Sequence, residues 1–260
     1  MPNENIDINM PWYTAIFLGL VQGLAEFLPV SSSGHLLLFE HLFGITDGGL
    51  LLTLILHLAT LLAVVVVYWR QLWQMIRHPF SRATVQLVVA TVITCGIVLV
   101  FNDVIDRLFN IQALPFLFIV CGVYLLLPNI CQPRTNQKTW RQTIAMGIAQ
   151  GVAVVPGLSR SGLTITTGRL SGMAATDATD FSFVMSLPII LASLLYELMR
   201  GGSLQTLGVG SVVLAFATAF LSGIVAIKFM LNITRKIDLR WFAIYLLLLG
   251  SCLLCGQVLV

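Results

Sequence analysis

Charge is what this sequence has least of. It carries 14 Lys and Arg and 11 Asp and Glu in 260 residues, about 10%, where a soluble domain carries about 25%. So few charges cannot cover a water-facing surface, which excludes an ordinary soluble enzyme and a nucleic-acid-binding module. What fills the space is apolar: 58% of residues are hydrophobic and the mean hydropathy is +0.95. The chain reads as one polytopic membrane domain. A cleavable leader is not expected, because residues 1–11 hold Glu4 and Asp7 in place of a basic start. Cysteine is sparse, at 95, 121, 131, 252 and 255. Cys252 and Cys255 lie in an apolar C-terminal run without polar neighbours, so they read as small apolar fillers and not as a redox pair.

Six stretches are long and apolar enough to cross a bilayer: about 50–69, 83–101, 112–130, 181–200, 206–231 and 241–259. Two more, 12–43 and 142–172, are apolar but interrupted by Pro, Gly and Ser. Basic residues orient the bundle: Arg70, Arg77 and Arg82, then Arg134, Lys138 and Arg141, then Arg235, Lys236 and Arg240 mark the cytoplasmic side. The 102–111 loop, with Asp103 and Asp106, fits outside. Both termini then lie outside if each interrupted segment returns to the side it entered. Arg169, Asp177 and Asp180 read as cytoplasmic loop charges. Trp69, Trp73 and Trp241 suit an interfacial belt.

The interrupted segments repeat each other. Residues 22–34 read QGLAEFLPVSSSG and residues 150–162 read QGVAVVPGLSRSG. The charge pattern makes the first enter from outside and the second from inside, the mark of an inverted-topology repeat. The expected fold is all-α and integral to the membrane: six transmembrane helices plus two re-entrant helix–loop–helix segments. Repeat 1 covers about 12–130 and repeat 2 about 142–260. Broken backbone at that depth is tolerated where it is buried in protein or lines a wet cavity.

An ionisable group at the bilayer centre costs about 2.5–3.5 kcal/mol on insertion scales. Glu26, His35, His57 and Arg160 therefore need a reason to be there. If the loops meet, they assemble a carboxylate, an imidazole, a guanidinium and several hydroxyls, a set suited to phosphoryl transfer. The Arg160 fork matches phosphate oxygens. Helices reopening at the Ser clusters would aim free N–H groups at an anion. Ser31, Ser33, Ser159, Ser161 and Thr164 add hydroxyls. Glu26 and Gln22, one helical turn apart, suit a hard divalent cation such as Mg²⁺ or Ca²⁺. Ser32 and His35 share a helix face, so Ser32 beside an imidazole, or His35 itself, could attack phosphorus; His35 could equally protonate the leaving group. The plainer alternatives are a structural Glu26–Arg160 pair and hydrogen-bonding roles for His35 and His57.

At these residues the sequence resembles the BacA-type undecaprenyl-diphosphatases. Gln22-Gly-Leu-Ala-Glu26-Phe-Leu-Pro-Val-Ser-Ser-Ser-Gly-His35 fits one family motif, and Pro156-Gly-Leu-Ser-Arg-Ser-Gly-Leu-Thr164 fits the other. The resemblance runs from about residue 12 to the C-terminus. It implies removal of a phosphate from undecaprenyl diphosphate, recycling the lipid carrier of cell-wall synthesis, with a divalent cation, a link to bacitracin resistance and a site facing the periplasm. It places Glu26 and Gln22 at metal and diphosphate positions, Ser32 and His35 at catalytic positions, and Ser159, Arg160 and Thr164 in the phosphate-binding motif. Three residues depart from the pattern: Gln22 is the less acidic family option, Thr53 replaces an acidic residue of many relatives, and Leu163 is bulky. The implied partners are the polyprenyl diphosphate and membrane lipid, with a homodimer left open. Transport of the polyprenyl phosphate carrier is the alternative function, because inverted repeats with broken helices also build transporters. The Ser33-Gly34-His35 string is shared with type-2 phosphatidate phosphatases, but no His follows Arg160.

Overall fold

The computed structural model describes residues 10–45, 49–130, 139–200, 208–233 and 238–259. Glu4, Asp7, Cys131, Arg134, Lys138, Arg235 and Lys236 lie outside them. The described residues are all-helical, without a strand: α1 (Trp12–Phe27), α2 (Ser32–Leu42), α3 (Gly49–Val67), α4 (Trp69–Arg77), α5 (Arg82–Val100), α6 (Asn102–Leu108), α7 (Leu114–Leu126), α8 (Trp140–Val152), α9 (Arg160–Leu170), α10 (Ala175–Arg200), α11 (Val209–Ile233) and α12 (Arg240–Leu259).

Both interrupted segments are helix–break–helix. Pro29 disfavours helical backbone at the residue before it, and Leu28 is extended with ψ 145°. The chain restarts at a serine cap in each copy: Ser31 Oγ accepts from Gly34 N at 3.3 Å, and Ser159 Oγ accepts from Gly162 N at 3.0 Å.

Among the described residues, three helices are long and apolar enough to cross a membrane alone: Arg82–Val100, Ala175–Tyr196 and Val209–Ile233. A bent pair, Leu52–Val67 with Trp69–Arg77, turned by 79°, passes the same test when taken as one. Leu114–Leu126 and Arg240–Gly256 are apolar but shorter. The chain is thus a multi-pass membrane protein. The apolar stretch expected at 50–69 ends at Tyr68, where the bend begins. The Tyr68 hydroxyl donates to Asp180 at 2.8 Å. This corrects the placing of Arg169, Asp177 and Asp180 in loops: Arg169 closes α9, and both aspartates sit in the first turns of α10. Past the bend, α4 stacks Trp69 on Trp73 at 5.9 Å and sets Arg77 over the Trp73 ring. An aromatic face beside arginines fits the membrane–water interface.

Small residues let the helices meet, since apolar burial gives no drive between helices in lipid. Gly19 and Gly23 of α1 lie against Ala215, Ala219 and Ser222 of α11; Gly147 and Gly151 of α8 lie against Ala90 and Ile97 of α5. Each broken segment is therefore held by a helix from the other half of the chain. Helices α7 and α12 pair in the same reciprocal way. A Cβ on Gly122 would sit 3.0 Å from the Ala243 carbonyl oxygen, and one on Gly250 would sit 2.7 Å from that of Pro115. Gly250→Leu should cost at least about 1–3 kcal/mol by overpacking. Gly256→Leu, with nothing within 4 Å, should leave the melting temperature in detergent unchanged. Equal melting of the two variants would contradict this packing.

Candidate active site

The breaks of the two segments touch. A Cβ on Gly34 would fall 2.8 Å from the Phe118 ring and 3.0 Å from Gly157 Cα, so only glycine allows so close an approach. Gly157 N donates to Ser31 Oγ at 3.1 Å, which joins the loops directly. Ser31 has φ +70°, the one positive φ among the described non-glycine residues. Its hydroxyl thus accepts two backbone N–H groups, one from each loop.

Between the loops lies a cavity of about 140 Å³ with polar groups set among apolar walls. Of the residues anticipated from sequence, Glu26, Ser31, Ser32, Ser33, Ser159 and Arg160 line it. Glu26 is the hub. Its Oε1 pairs with Arg160 Nη2; its Oε2 accepts from Ser32 Oγ at 2.6 Å and from Gln22 Nε2 at 3.1 Å. The carboxylate side chain is only 5% exposed and the guanidinium 13%. Arg160 Nη1 is buried with no hydrogen-bond partner, and so is Gln22 Oε1. A buried donor left unsatisfied on a cavity-lining residue, as at Arg160, loses about 1–3 kcal/mol, a cost that a bound anion would remove.

The other anticipated residues stand behind this surface. Gln22 is fully buried beneath Glu26. Ser161 Oγ donates to the Leu28 carbonyl at 3.0 Å, tying α9 to the first break. Thr164 Oγ1 donates to the Arg160 carbonyl at 2.7 Å and lies 2.6 Å from Ser182 Oγ, so it braces α9 against α10. His35 does not line the cavity; its Nδ1 meets the Ser31 carbonyl at 2.8 Å and its Nε2 the Tyr245 hydroxyl at 2.7 Å.

Other residues complete the lining, among them His57, Ile189, Ile190 and Ser193, none of which the sequence-based site included. His57 faces the cavity. Its Nδ1–H donates to the Thr53 carbonyl at 2.8 Å. Ile189, Ile190 and Ser193 of α10 form a wall just beyond Pro188. The usable signal was charge: His57 is the one ionisable residue of α3, whose other polar members are Thr53 and Thr60.

Fold and site together define a class: an all-helical, multi-pass membrane protein with a pocket between two helix breaks. The family follows from comparison. Residues 15–252 match the model of the family described as bacitracin resistance protein BacA, and the chain belongs to that family. It is 37% identical over 255 residues to the undecaprenyl-diphosphatase of Carboxydothermus hydrogenoformans, covering 94% of this chain and 97% of the relative. It is 36% identical over 259 residues to that of Parabacteroides distasonis, covering 93% and 96%. It is also 36% identical over 252 residues to undecaprenyl-diphosphatase 1 of Shouchella clausii, covering 89% and 91%.

Two serine variants test the joint between the loops. Ser31→Ala and Ser31→Gly both remove the shared acceptor, but only alanine keeps a Cβ at positive φ, which costs about 1–2 kcal/mol. Ser31→Gly should therefore melt higher than Ser31→Ala in detergent, and both below the parent. The reverse order would refute the strained conformation.

Proposed function

We propose that this chain hydrolyses undecaprenyl diphosphate to undecaprenyl phosphate and inorganic phosphate, recycling the lipid carrier for peptidoglycan synthesis. The observation that carries the chemistry is the Ser32 hydroxyl 2.6 Å from the Glu26 carboxylate, with the unpartnered Nη1 of Arg160 on the same cavity. The family's relatives named undecaprenyl-diphosphatase supply the substrate.

The terminal phosphate accepts from Arg160 Nη1 and from the Ser159 and Ser33 hydroxyls. As the guanidinium turns its charge to phosphate, it releases its hold on Glu26, whose carboxylate becomes the stronger base. Ser32 Oγ attacks the terminal phosphorus and its proton passes to Glu26. The bond from phosphorus to the bridging oxygen breaks, and undecaprenyl phosphate leaves with that electron pair. Water then cleaves the phosphoserine, releasing inorganic phosphate and restoring the Ser32 hydroxyl. His35, engaged at both nitrogens, serves this scheme by holding the Ser31 carbonyl.

A divalent cation fits the donors present. Glu26 and the unsatisfied amide oxygen of Gln22 are hard oxygen ligands. No cluster of three His, Cys, Asp or Glu forms among the described residues, so diphosphate oxygens would complete the shell, as Mg²⁺ sites commonly require. Such an ion offsets the charge of the diphosphate. Its residues would be Glu26 and Gln22.

In this reading α3, α5, α7, α10, α11 and α12 make six crossings, and the α1–α2 and α8–α9 pairs are re-entrant from opposite faces. Arg70, Arg77, Arg82 and Arg141 mark the cytoplasmic side. Both termini and the mouth of the site then face the periplasm of a bacterial inner membrane.

Purified protein in detergent with Mg²⁺ or Ca²⁺ should release phosphate from undecaprenyl diphosphate, and chelation should stop it. Failure to release phosphate would end the phosphatase assignment and favour a carrier transporter. Arg160→Lys keeps the charge but not the fork, and should lower kcat/KM at least about a hundredfold, about 2.7 kcal/mol. Near-parent activity in that variant would remove the phosphate clamp. Arg160→Ala should also destabilise the fold by about 3–5 kcal/mol, because it strands the buried Glu26 charge. Ser32→Ala should abolish turnover, and rapid quenching of the parent with ³²P-labelled substrate should trap labelled Ser32. Label on His35 instead would reverse the two roles.

A further inference from the structure

We infer that Tyr245 is a positioning residue for the reaction: its hydroxyl donates to His35 Nε2, fixes the ring as the Nδ1–H tautomer, and through it holds the backbone of Ser31 beside Ser32. The inference rests on the phosphatase assignment above and adds a residue from the far end of the chain.

The tautomer follows from the partners. A carbonyl oxygen can only accept, so the 2.8 Å contact between His35 Nδ1 and the Ser31 carbonyl requires the proton on Nδ1. The neutral ring then presents a bare Nε2, and the Tyr245 hydroxyl at 2.7 Å donates to it. The rings are stacked, with planes 12° apart and centroids 5.7 Å apart. His35 is 5% exposed and flanked by Phe118 and Phe39. In so apolar a setting a bare ring nitrogen without a donor costs about 1–3 kcal/mol. Tyr245 is 44% exposed, so its ring meets lipid while its hydroxyl reaches inward, as an amphipathic aromatic does.

The chain of bonds ends at the reacting group. His35 Nδ1–H holds the carbonyl of Ser31, the residue at φ +70°. Ser31 Oγ takes the N–H groups of Gly34 and Gly157. The next residue is Ser32, whose hydroxyl must stay on Glu26. Helix α12 thus reaches the active serine through two side chains. Without the Tyr245 hydroxyl the ring is free to place its proton on Nε2, and the Ser31 carbonyl loses its donor. A small misplacement of a nucleophile lowers the rate of attack more than it lowers substrate binding.

Tyr245→Phe keeps the ring and removes only the hydroxyl. In nanodiscs, ¹⁵N-histidine NMR of the parent should show His35 as the Nδ1–H tautomer, assigned by the signal lost in His35→Gln. Tyr245→Phe should shift the His35 Nε2 resonance, lower kcat about tenfold, the worth of one hydrogen bond, and leave KM within about twofold. A purely packing role for Tyr245 would move neither the resonance nor kcat. Parent-like kcat, or an unchanged His35 resonance, overturns the inference. A parent protein that releases no phosphate overturns the phosphatase assignment separately, and the NMR arm then decides the hydrogen bond alone.

Discussion

One buried ion pair sets the terms for the rest of the structure. Glu26 and Arg160 are 134 residues apart in sequence and meet where each side chain is nearly closed to solvent. Neither charge is tolerable alone at membrane depth, so both chain breaks must reach the same point. The serine caps that restart α2 and α9, the glycines that let the loops touch, and the small-residue seams that hold α1 and α8 all serve that meeting. Yet exchanging a buried pair for well-packed apolar residues is often neutral or stabilising. Stability alone therefore does not explain the pair; Arg160 Nη1, buried without a partner on a cavity-lining residue, leaves a donor free for an anion.

The frame is symmetric where it is structural and asymmetric where it is chemical. Positions 128 apart correspond. Gly19, Gly23 and Gly122 recur as Gly147, Gly151 and Gly250, and the cap Ser31 recurs as Ser159. Glu26, however, faces Val154, Ser32 faces Arg160, and His35 faces Leu163. Gln22 and Gln150 are identical but differently employed: the first bonds to Glu26, the second to Thr94 and the Met185 carbonyl. The copies kept the glycines and the serine caps that fold the segments, and diverged at Glu26, Ser32 and Arg160, which make the polar contacts across the cavity.

That division also explains what the sequence disclosed. Charges in apolar runs and Pro–Ser breaks are local signals with a large energetic cost, so Glu26, Ser32 and Arg160 were legible. Orientation was not. A serine or threonine in a helix can turn to a carbonyl three or four residues back, and spacing does not tell whether it does; Thr164 does so, while Ser159 reaches the cavity. The bend after α3 has no Pro or Gly at Tyr68 to announce it, and the residue at the bend bonds to Asp180, 112 residues away. Tyr245 reads as one more aromatic in an apolar helix until the fold brings it to His35, 210 residues away.

Ser31 shows why a strained residue sits at the centre. Glycine would take φ +70° without cost, but it has no hydroxyl to receive Gly34 N and Gly157 N. Two bonds of about 1 kcal/mol each offset a strain of about 1–2 kcal/mol, so the conformation is held only when both loops are docked. The strain and the docking are thus one condition. Ser32 comes next in the chain, and its hydroxyl is placed on Glu26 only in the same arrangement that brings Arg160 to that carboxylate. A first loop that came undocked would lose its serine geometry together with the Glu26–Arg160 pair, so the Ser32–Glu26 contact and the ion pair assemble as one.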